Sequence, residues 1–313
     1  MSGLKRLLRR PAPRVFSPKA IPDLQSVASE PSGIQDTISL SAFDVSDAIA
    51  LIANQSSRPS QRSSLPSTRS NSLPQLIKRA EDLSVDLDPV LLTRIISNMA
   101  RLDSQLDSFV PIFVSRCEDM SLGCFSRSLF CLSQRHASSE LYVSAARRAK
   151  YLIADLERVP ARVVSKLCCS FAHLRGFGVD DDLWASLERL GLQSAPKLDS
   201  SQLAQVSFAF SVVGRSSPTL TPALIKRGIE LSPIAPMETY MNTLVSLAKL
   251  TNRQGEEWRM FEKIARDFLS LRDGYIPVPV LRNALQRYNL TDVQLKRILG
   301  AFKQVKEIQK IDS

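Results

Sequence analysis

A four-residue pattern recurs six times between residues 99 and 288, and it limits the fold of this chain more than any other property of the sequence. In each copy a large apolar residue leads, and Ala or Ser follows it in five of the six. The leading residues stand 33, 39, 39, 37 and 38 residues apart: Met99, Leu132, Phe171, Phe210, Leu247 and Leu285. A near-constant period of this length is typical of repeat proteins, in which each repeat packs on its neighbours.

The residues around each copy indicate that the pattern belongs to an α-helix. An apolar residue stands seven positions before every leading residue, and the residue immediately before it is never large. The earlier apolar positions are Leu92, Phe125, Val164, Leu203, Tyr240 and Val278. This spacing is typical of a packed helix face, and a second periodic stretch follows the first five copies. We therefore predict an all-α fold, an α-solenoid of about six helix-turn-helix repeats of about 37 residues.

The order of large apolar, small, polar and apolar residues resembles that of organellar helical-repeat RNA-binding proteins. These include heptatricopeptide and octotricopeptide repeat proteins and their FAST-kinase-like relatives. The resemblance spans residues 88–313, and it implies a mitochondrial or plastid protein that holds RNA along a superhelix, in some cases within a ribosome. The match is incomplete, because Gln286 replaces the small residue and Val212 replaces the polar one. No segment resembling a RAP nuclease-like domain follows the repeats, so RNA cleavage is not implied.

The charge balance favours an anionic partner. The chain has 41 Lys and Arg against 31 Asp and Glu, a formal net charge of +10,. The third position of the pattern lies about 200° round the helix from the leading residue, on the side away from the core. We expect its polar members to bind phosphates, although an ordinary solvated helix face is the alternative. This third-position row is Arg101, Gln134, His173, Val212, Lys249 and Arg287.

A second group of basic residues lies near the carboxyl end of the sequence. Its members are Lys296, Arg297, Lys303, Lys306 and Lys310. On a helix that starts at Thr291, the four lysines can share one broad stripe opposite an apolar stripe. The group is interpreted either as a further RNA-binding patch or as the polar outer face of a terminal capping helix.

Four segments of different composition divide the chain. Residues 1–22 contain six basic and no acidic residues, and they resemble a mitochondrial targeting segment, with a basic tail as the alternative. Residues 23–54 contain one short helix, predicted from apolar residues at helical spacing. Residues 55–74 are rich in Ser, Pro and Arg and are predicted to be a linker. Residues 75–313 form the predicted α-helical repeat domain.

No catalytic, cofactor or metal site is expected. The sequence lacks P-loop, dinucleotide-binding, nucleophile-elbow and zinc-protease motifs, and its two histidines, His136 and His173, are too few for a metal site,. Its five cysteines form no CxxC pair and are expected to be buried thiols without disulfides,. No apolar run reaches the roughly 18 residues that a membrane span needs. We therefore expect no enzymatic activity and no small-molecule substrate.

These properties together predict an RNA-binding or RNA-scaffolding protein of the mitochondrial matrix, and specifically a structural component of the mitochondrial ribosome. Its expected partners are ribosomal RNA and neighbouring proteins of a large mitochondrial assembly. The alternative is a protein–protein scaffold, such as an accessory subunit of a respiratory or ATP-synthase complex. In that case the net charge has no direct role.

Overall fold

The computed structural model of the protein is described for residues 40–56, 68–83, 87–102, 106–154, 156–231 and 234–251. Within these ranges all regular secondary structure is helical, with eleven α-helices, three 3₁₀ turns and no β-strand. The all-α prediction is therefore confirmed for this part of the chain. The sixth predicted repeat, which contains Leu285 and Arg287, lies outside the described residues.

The helices are numbered in chain order. They are α1 (Ala42–Ser56), α2 (Thr68–Asp82), α3 (Pro89–Arg101), α4 (Phe109–Arg116), α5 (Leu122–Ser133), α6 (Ser139–Ile153), α7 (Ala161–His173), α8 (Asp181–Ser194), α9 (Ser200–Val213), α10 (Leu220–Leu231) and α11 (Met237–Leu250). The odd-numbered helices α3 to α11 contain the recurring pattern. The even-numbered helices α4 to α10 are the predicted second helices of each unit.

The recurring apolar positions are buried, as the pattern predicts. Each leading residue of α3 to α11 is at most 1% exposed: Met99, Leu132, Phe171, Phe210 and Leu247. The apolar residues seven positions earlier are buried to the same extent. Because both positions lie on one face of each helix, this face is the part of the odd-numbered helices that forms the core.

The helices pack in a regular order. Consecutive odd-numbered helices pack against each other from α1 to α11, which gives one row. The even-numbered helices α4, α6, α8 and α10 contact one another in the same way and form a second row. Aromatic pairs connect the rows: Phe113 of α4 stacks on Phe125 of α5, and Trp184 of α8 meets Phe210 of α9 edge to face at 5.2 Å.

Helix α1 carries the first three positions of the same pattern, which the sequence spacing concealed. Its copy is Ile52-Ala53-Asn54, in which Ala53 is buried, as is Val45 seven positions before Ile52. The interval from Ile52 to Met99 is 47 residues, longer than any interval between the predicted copies. Helices α1 and α2 contact each other and therefore form a further helical pair ahead of the predicted repeats.

Helices extend into both ends of the segment predicted to be a linker. Helix α1 continues to Ser56 and α2 begins at Thr68, whereas the linker was expected at residues 55–74. The apolar face of α2, which includes Leu76 and Ala80, is buried in the core, so packing stabilises a helix in a Ser-rich sequence,. Among the described residues, α1 thus lies mainly in the segment 23–54, for which a short helix is predicted, and α2 begins before residue 75. Residues 1–39 and 57–67 lie outside the described residues.

In four of the five described helix pairs, an arginine of the second helix bonds to the segment that precedes the first helix. Four such arginines donate to a main-chain carbonyl in that segment. The bonds run from Arg79 to Leu40, from Arg148 to Met120, from Arg189 to Leu156 and from Arg227 to Leu198, with donor–acceptor distances of 2.8–3.2 Å. Part of the positive charge of the chain therefore satisfies carbonyls between helices, where an unpaired group would destabilise the fold.

Polar side chains cap the helix starts. Asp180 accepts a hydrogen bond from the Leu183 amide, as its position before α8 predicts, and Asp199 forms a capping box with Gln202 at α9,. None of the described helices is both long and apolar enough to cross a membrane.

The five cysteines are free thiols, as expected. Cys117, Cys168 and Cys169 are buried, whereas Cys124 and Cys131 are half-buried. Burial raises the pKa of Cys169 to about 12 and raises that of Cys168 further. These two thiols therefore stay protonated at neutral pH and act as small apolar residues.

Candidate nucleic-acid interface

The third-position row lies at the carboxyl-terminal ends of the odd-numbered helices. Arg101 and His173 are the last residues of α3 and α7, and Gln134 caps α5. Cations in the last turn of a helix are stabilised by the helix dipole and by the free carbonyls. The enrichment of Lys and Arg at this position therefore has a structural reason apart from any ligand.

Two members of this row contact neighbouring helices. The Arg101 guanidinium donates to Asn54 Oδ1 of α1 at 3.1 Å. The ring centroid of His173 lies 5.6 Å from that of Phe208, and burial, followed by the nearby Arg175, lowers the histidine pKa. The lowered pKa favours the neutral imidazole of His173 at pH 7.

The other described members of the third-position row vary in burial and charge. Lys249 is half-buried, and burial followed by Arg175 lowers its pKa. Val212 packs partly against the core, and Gln134 is exposed and neutral. The remaining predicted site residues lie outside the described residues: Arg287, Lys296, Arg297, Lys303, Lys306 and Lys310.

A different position of the odd-numbered helices brings cations together on the side that also bears the third-position row. It stands five residues before each leading residue, about 140° round the helix from it, and we call it the −5 row. On α3 to α11 every member is a cation or an amide, and every one is at least partly accessible to solvent: Arg94, Arg127, Lys166, Gln205 and Asn242. In contrast to the third-position row, these residues lie in the middle of their helices, where dipole stabilisation is absent.

The unpaired charge is concentrated on α5 and α7. Arg127, Arg162 and Lys166 form what we call the basic cluster; Arg162 lies one turn before Lys166 on α7. Burial, followed by the charges of Arg162 and Arg127, lowers the pKa of Lys166. Its Nζ lies 5.9 Å from the ring centroid of Phe130 on α5. Within the described part of the chain, the guanidinium groups of Arg127 and Arg162 have no ion-pair or hydrogen-bond partner.

The basic cluster has no acidic counterpart on its own helices. Helices α3, α5, α7 and α9 contain no Asp or Glu, whereas α6, α8 and α10 each contain at least one. Like charges one turn apart, such as Arg162 and Lys166, destabilise a helix slightly. An arrangement that places repelling cations together without acids is suited to bind an anion.

On α3, towards the amino-terminal end of the row of odd-numbered helices, the cations have partners. The Arg94 guanidinium forms an ion pair with Asp47 of α1 at 2.6 Å, and Arg101 is bonded to Asn54 of the same helix. The cations of α3 are therefore used in contacts with α1. Among the described helices, unpaired positive charge on this face is greatest at α5 and α7.

The sequence contained a signal for this cluster. Four successive pattern helices without a single acid can be recognised from residue types alone. The −5 row is easily missed because it lies more than one turn away from the leading and small residues of the pattern, whereas the third position directly follows them. Only the packing of α5 beside α7 makes Arg127 and Lys166 neighbours.

Neither a metal site nor similarity to known proteins assigns a function. The described residues contain no group of three or more His, Cys, Asp or Glu side chains that could hold a metal ion. No protein-family model matches the sequence, and comparison with curated proteins finds no significant match. The resemblance to organellar helical-repeat proteins therefore stays a prediction.

Proposed function

We propose that the chain is an α-solenoid that binds RNA through the solvent side of its odd-numbered helices. The observation that carries this proposal is the basic cluster, Arg127, Arg162 and Lys166, on helices without acids. The continuous row of odd-numbered helices, with one equivalent position in each, supports a solenoid built by stacking. The site is a binding surface, and no step of catalysis is proposed.

The physical basis of binding is charge neutralisation. Phosphates placed over the basic cluster relieve the repulsion among its three cations and release counterions from the RNA. The amides of Gln205 and Asn242 continue the −5 row on α9 and α11, where they can donate to phosphate or ribose oxygens. Such contacts fix the position of the RNA backbone and do not by themselves read its sequence.

The cellular setting is a separate part of the proposal. The resemblance of the repeats and the acid-free basic segment 1–22 support a mitochondrial protein, with ribosomal RNA and neighbouring proteins of the mitochondrial ribosome as partners. This part depends on the sequence and not on the basic cluster. Fluorescence imaging of the tagged full chain, with sedimentation of mitochondrial ribosomes, tests it independently.

Salt titration with a charge-matched control tests RNA binding. The cluster variant is Arg127→Gln, Arg162→Gln, Lys166→Gln; the control is Arg147→Gln, Lys197→Gln, Lys226→Gln, which removes three exposed cations outside the odd-numbered helices. We expect the cluster variant to bind a generic RNA at least tenfold more weakly at 50 mM salt, with a smaller salt dependence. The control should lose less than threefold. Equal losses in both variants, or binding by the parent that is indifferent to salt, would disprove the proposal.

One observation favours the alternative, a protein–protein scaffold. On α6, Val143 and Tyr151 are 60% and 74% exposed, and Leu192 of α8 is exposed as well. Tyr with exposed aliphatic residues is a composition typical of protein interfaces. If Val143→Asp with Tyr151→Asp abolishes incorporation into an assembly that the cluster variant still enters, the scaffold function is the correct one.

A further inference from the structure

Positive charge does not continue along the −5 row from α3 to α11. Arg94 of α3 forms an ion pair with Asp47, and the members of the row on α9 and α11 are the neutral amides Gln205 and Asn242. Among the described helices, the row therefore has cations without an acidic partner on α5 and α7. A single strand of RNA that crosses these helices along the row would meet a short run of charge.

The cations of the basic cluster form a compact patch. Arg162 and Lys166 lie one turn apart on α7, about 6 Å along its axis. Arg127 lies on α5, and the axes of packed helices are typically about 8–10 Å apart. The patch is therefore about as wide across the helices as it is long. A single strand, in contrast, presents its phosphates along one line.

A second pair of cations lies at the carboxyl-terminal ends of the odd-numbered helices. Arg175 follows α7 and is exposed, and its guanidinium donates to the Ala172 carbonyl at 2.9 Å, a neutral acceptor that does not cancel its charge. Burial, followed by the charge of Arg175, lowers the pKa of Lys249 on α11, so the two cations lie near each other. We call Arg175 and Lys249 the end pair.

The basic cluster and the end pair lie on the same side of the odd-numbered helices. Lys166 and His173 stand seven positions apart on α7 and therefore share one side of that helix. Arg175 is close to His173, whose pKa is lowered by burial and then by the charge of Arg175. The nine positions from Lys166 to Arg175 correspond to about 13 Å along the helix axis. Positive charge thus stands at two levels on this side.

The accessible aromatic rings on this side already have contacts. On the odd-numbered helices α3 to α11, two rings are partly accessible, Phe130 and Phe208. The Lys166 ammonium lies over Phe130, and the ring of Phe208 is 5.6 Å from that of His173. Exposed Phe43 lies on α1, with α3 between it and the basic cluster. Proteins hold single-stranded RNA largely by stacking bases on aromatic side chains, and here a base would first have to displace these contacts.

We infer that the RNA bound by the basic cluster is double-helical, with the phosphates of one strand over the basic cluster and those of the other strand at the end pair. The inference rests on the proposed function and adds the class of RNA to it. A duplex carries two strands of phosphates, which match two levels of positive charge. Double-stranded RNA is recognised mostly through its shape, phosphates and ribose hydroxyls, so that no base needs to stack on the protein.

Counterion release also favours a duplex at a site that binds through charge. The slope of log affinity against log salt is about 0.9 per neutralised phosphate for duplex DNA and about 0.7 for single strands, because the duplex condenses more counterions. Each cation of the basic cluster therefore releases more counterions from a duplex than from a single strand.

Fluorescence anisotropy with the full chain tests the inference. The probes are an RNA duplex of about 20 base pairs and an oligouridine of the same length, each at 50 and 200 mM salt. We expect the parent to bind the duplex at least tenfold more tightly than oligouridine at 50 mM salt. Arg175→Gln should weaken duplex binding at least threefold and lower its salt slope by about one, with less than a twofold change for oligouridine.

Two matched variants serve as controls. Lys226→Gln removes an exposed cation of α10, outside the odd-numbered helices, and should change neither affinity by more than twofold. Arg175→Lys keeps the charge and should retain duplex binding. Thermal melting by circular dichroism shows whether each variant is folded, and Lys249→Gln replaces Arg175→Gln if the latter is not.

The failures of the inference and of the proposed function can be distinguished. Oligouridine binding that is as tight as duplex binding, depends on salt and is lost in the cluster variant would overturn the inference and leave the proposed function standing. Salt-dependent binding of neither RNA would overturn both. If Arg175→Lys loses duplex binding as Arg175→Gln does, Arg175 acts through its contact with Ala172, and the placement of the second strand is wrong.

Discussion

Lys166 of α7 places its Nζ 5.9 Å from the ring centroid of Phe130 on the neighbouring α5. The contact holds an ammonium group over an aromatic face while the nearby charges of Arg162 and Arg127 repel it,. Because this repulsion opposes the attraction to the ring, we expect the charge of Lys166 to contribute little to folding, and it is well placed to meet a phosphate. This combination distinguishes a binding cation from one that stabilises the fold.

Replacing Lys166 with Met should therefore separate stability from binding. We expect Lys166→Met to be as stable as the parent or more stable at neutral pH, because the repulsion within the basic cluster is reduced. Its affinity for RNA should fall, and the slope of log affinity against log salt should decrease by about one. Urea unfolding and fluorescence anisotropy measure the two effects. A variant that is destabilised and binds normally would assign Lys166 a purely structural role.

The difference in stability between Lys166→Met and the parent should depend on pH with a definite sign. Burial and the two arginines lower the pKa of Lys166 in the folded protein. Its charge therefore destabilises the folded state at every pH below that pKa. The effect disappears as the pH rises from the folded pKa towards the ordinary lysine value of about 10.4. The stability advantage of Lys166→Met over the parent should shrink across this range in urea titrations.

His173 should make the protein sensitive to acid. Because burial lowers its pKa, the unfolded chain takes up a proton at higher pH than the folded chain does,. Stability should therefore decrease as the pH falls below about 6.5, the ordinary value for histidine. Thermal unfolding of His173→Gln should show a smaller loss between pH 7.5 and pH 5 than the parent. If the two proteins lose stability in parallel, His173 is not the group responsible.

Arg227 should matter for folding and not for RNA. Its Nε donates to the Leu198 carbonyl at 2.8 Å, and its Nη1 pairs with Glu230. Loss of a charge-assisted hydrogen bond in Arg227→Met should decrease the free energy of unfolding by about 1.5–3 kcal/mol. Lys226→Met, next to it and exposed, is the control and should change stability by less than about 0.5 kcal/mol. RNA affinity should be similar in both variants.

The contact between Trp184 and Phe210 should be a major part of the core. Both side chains are at most 1% exposed, and they join α8 of one row to α9 of the other. Phe210→Ala should decrease the free energy of unfolding by about 3–5 kcal/mol. Phe177→Ala, at an exposed phenylalanine, should have a much smaller effect in the same denaturant titration. Similar losses would mean that the two rows are held together elsewhere.

The residue pattern predicts some helices of this fold and misses others. The buried faces of α3 to α11 were predictable, because a leading residue such as Phe171 and its partner seven positions earlier must lie on one side of a helix. Helix α2 was not predictable from composition, because its Ser-rich sequence becomes helical through packing of Leu76 and Ala80. The copy of the pattern in α1 is hidden in the sequence because its interval of 47 residues breaks the period.

The candidate site, like the fold, could be predicted from the sequence only in part. The sequence alone determined that positive charge is in excess and that four successive pattern helices have no acid to balance it. It also determined which side of each helix faces the core. The tertiary structure decided which cations are available, since Arg94 and Arg227 are held by partners within the fold while Arg127 and Arg162 are not. The reason is physical: a residue type fixes the charge, but its pairing and its hydration depend on neighbours that are distant along the chain.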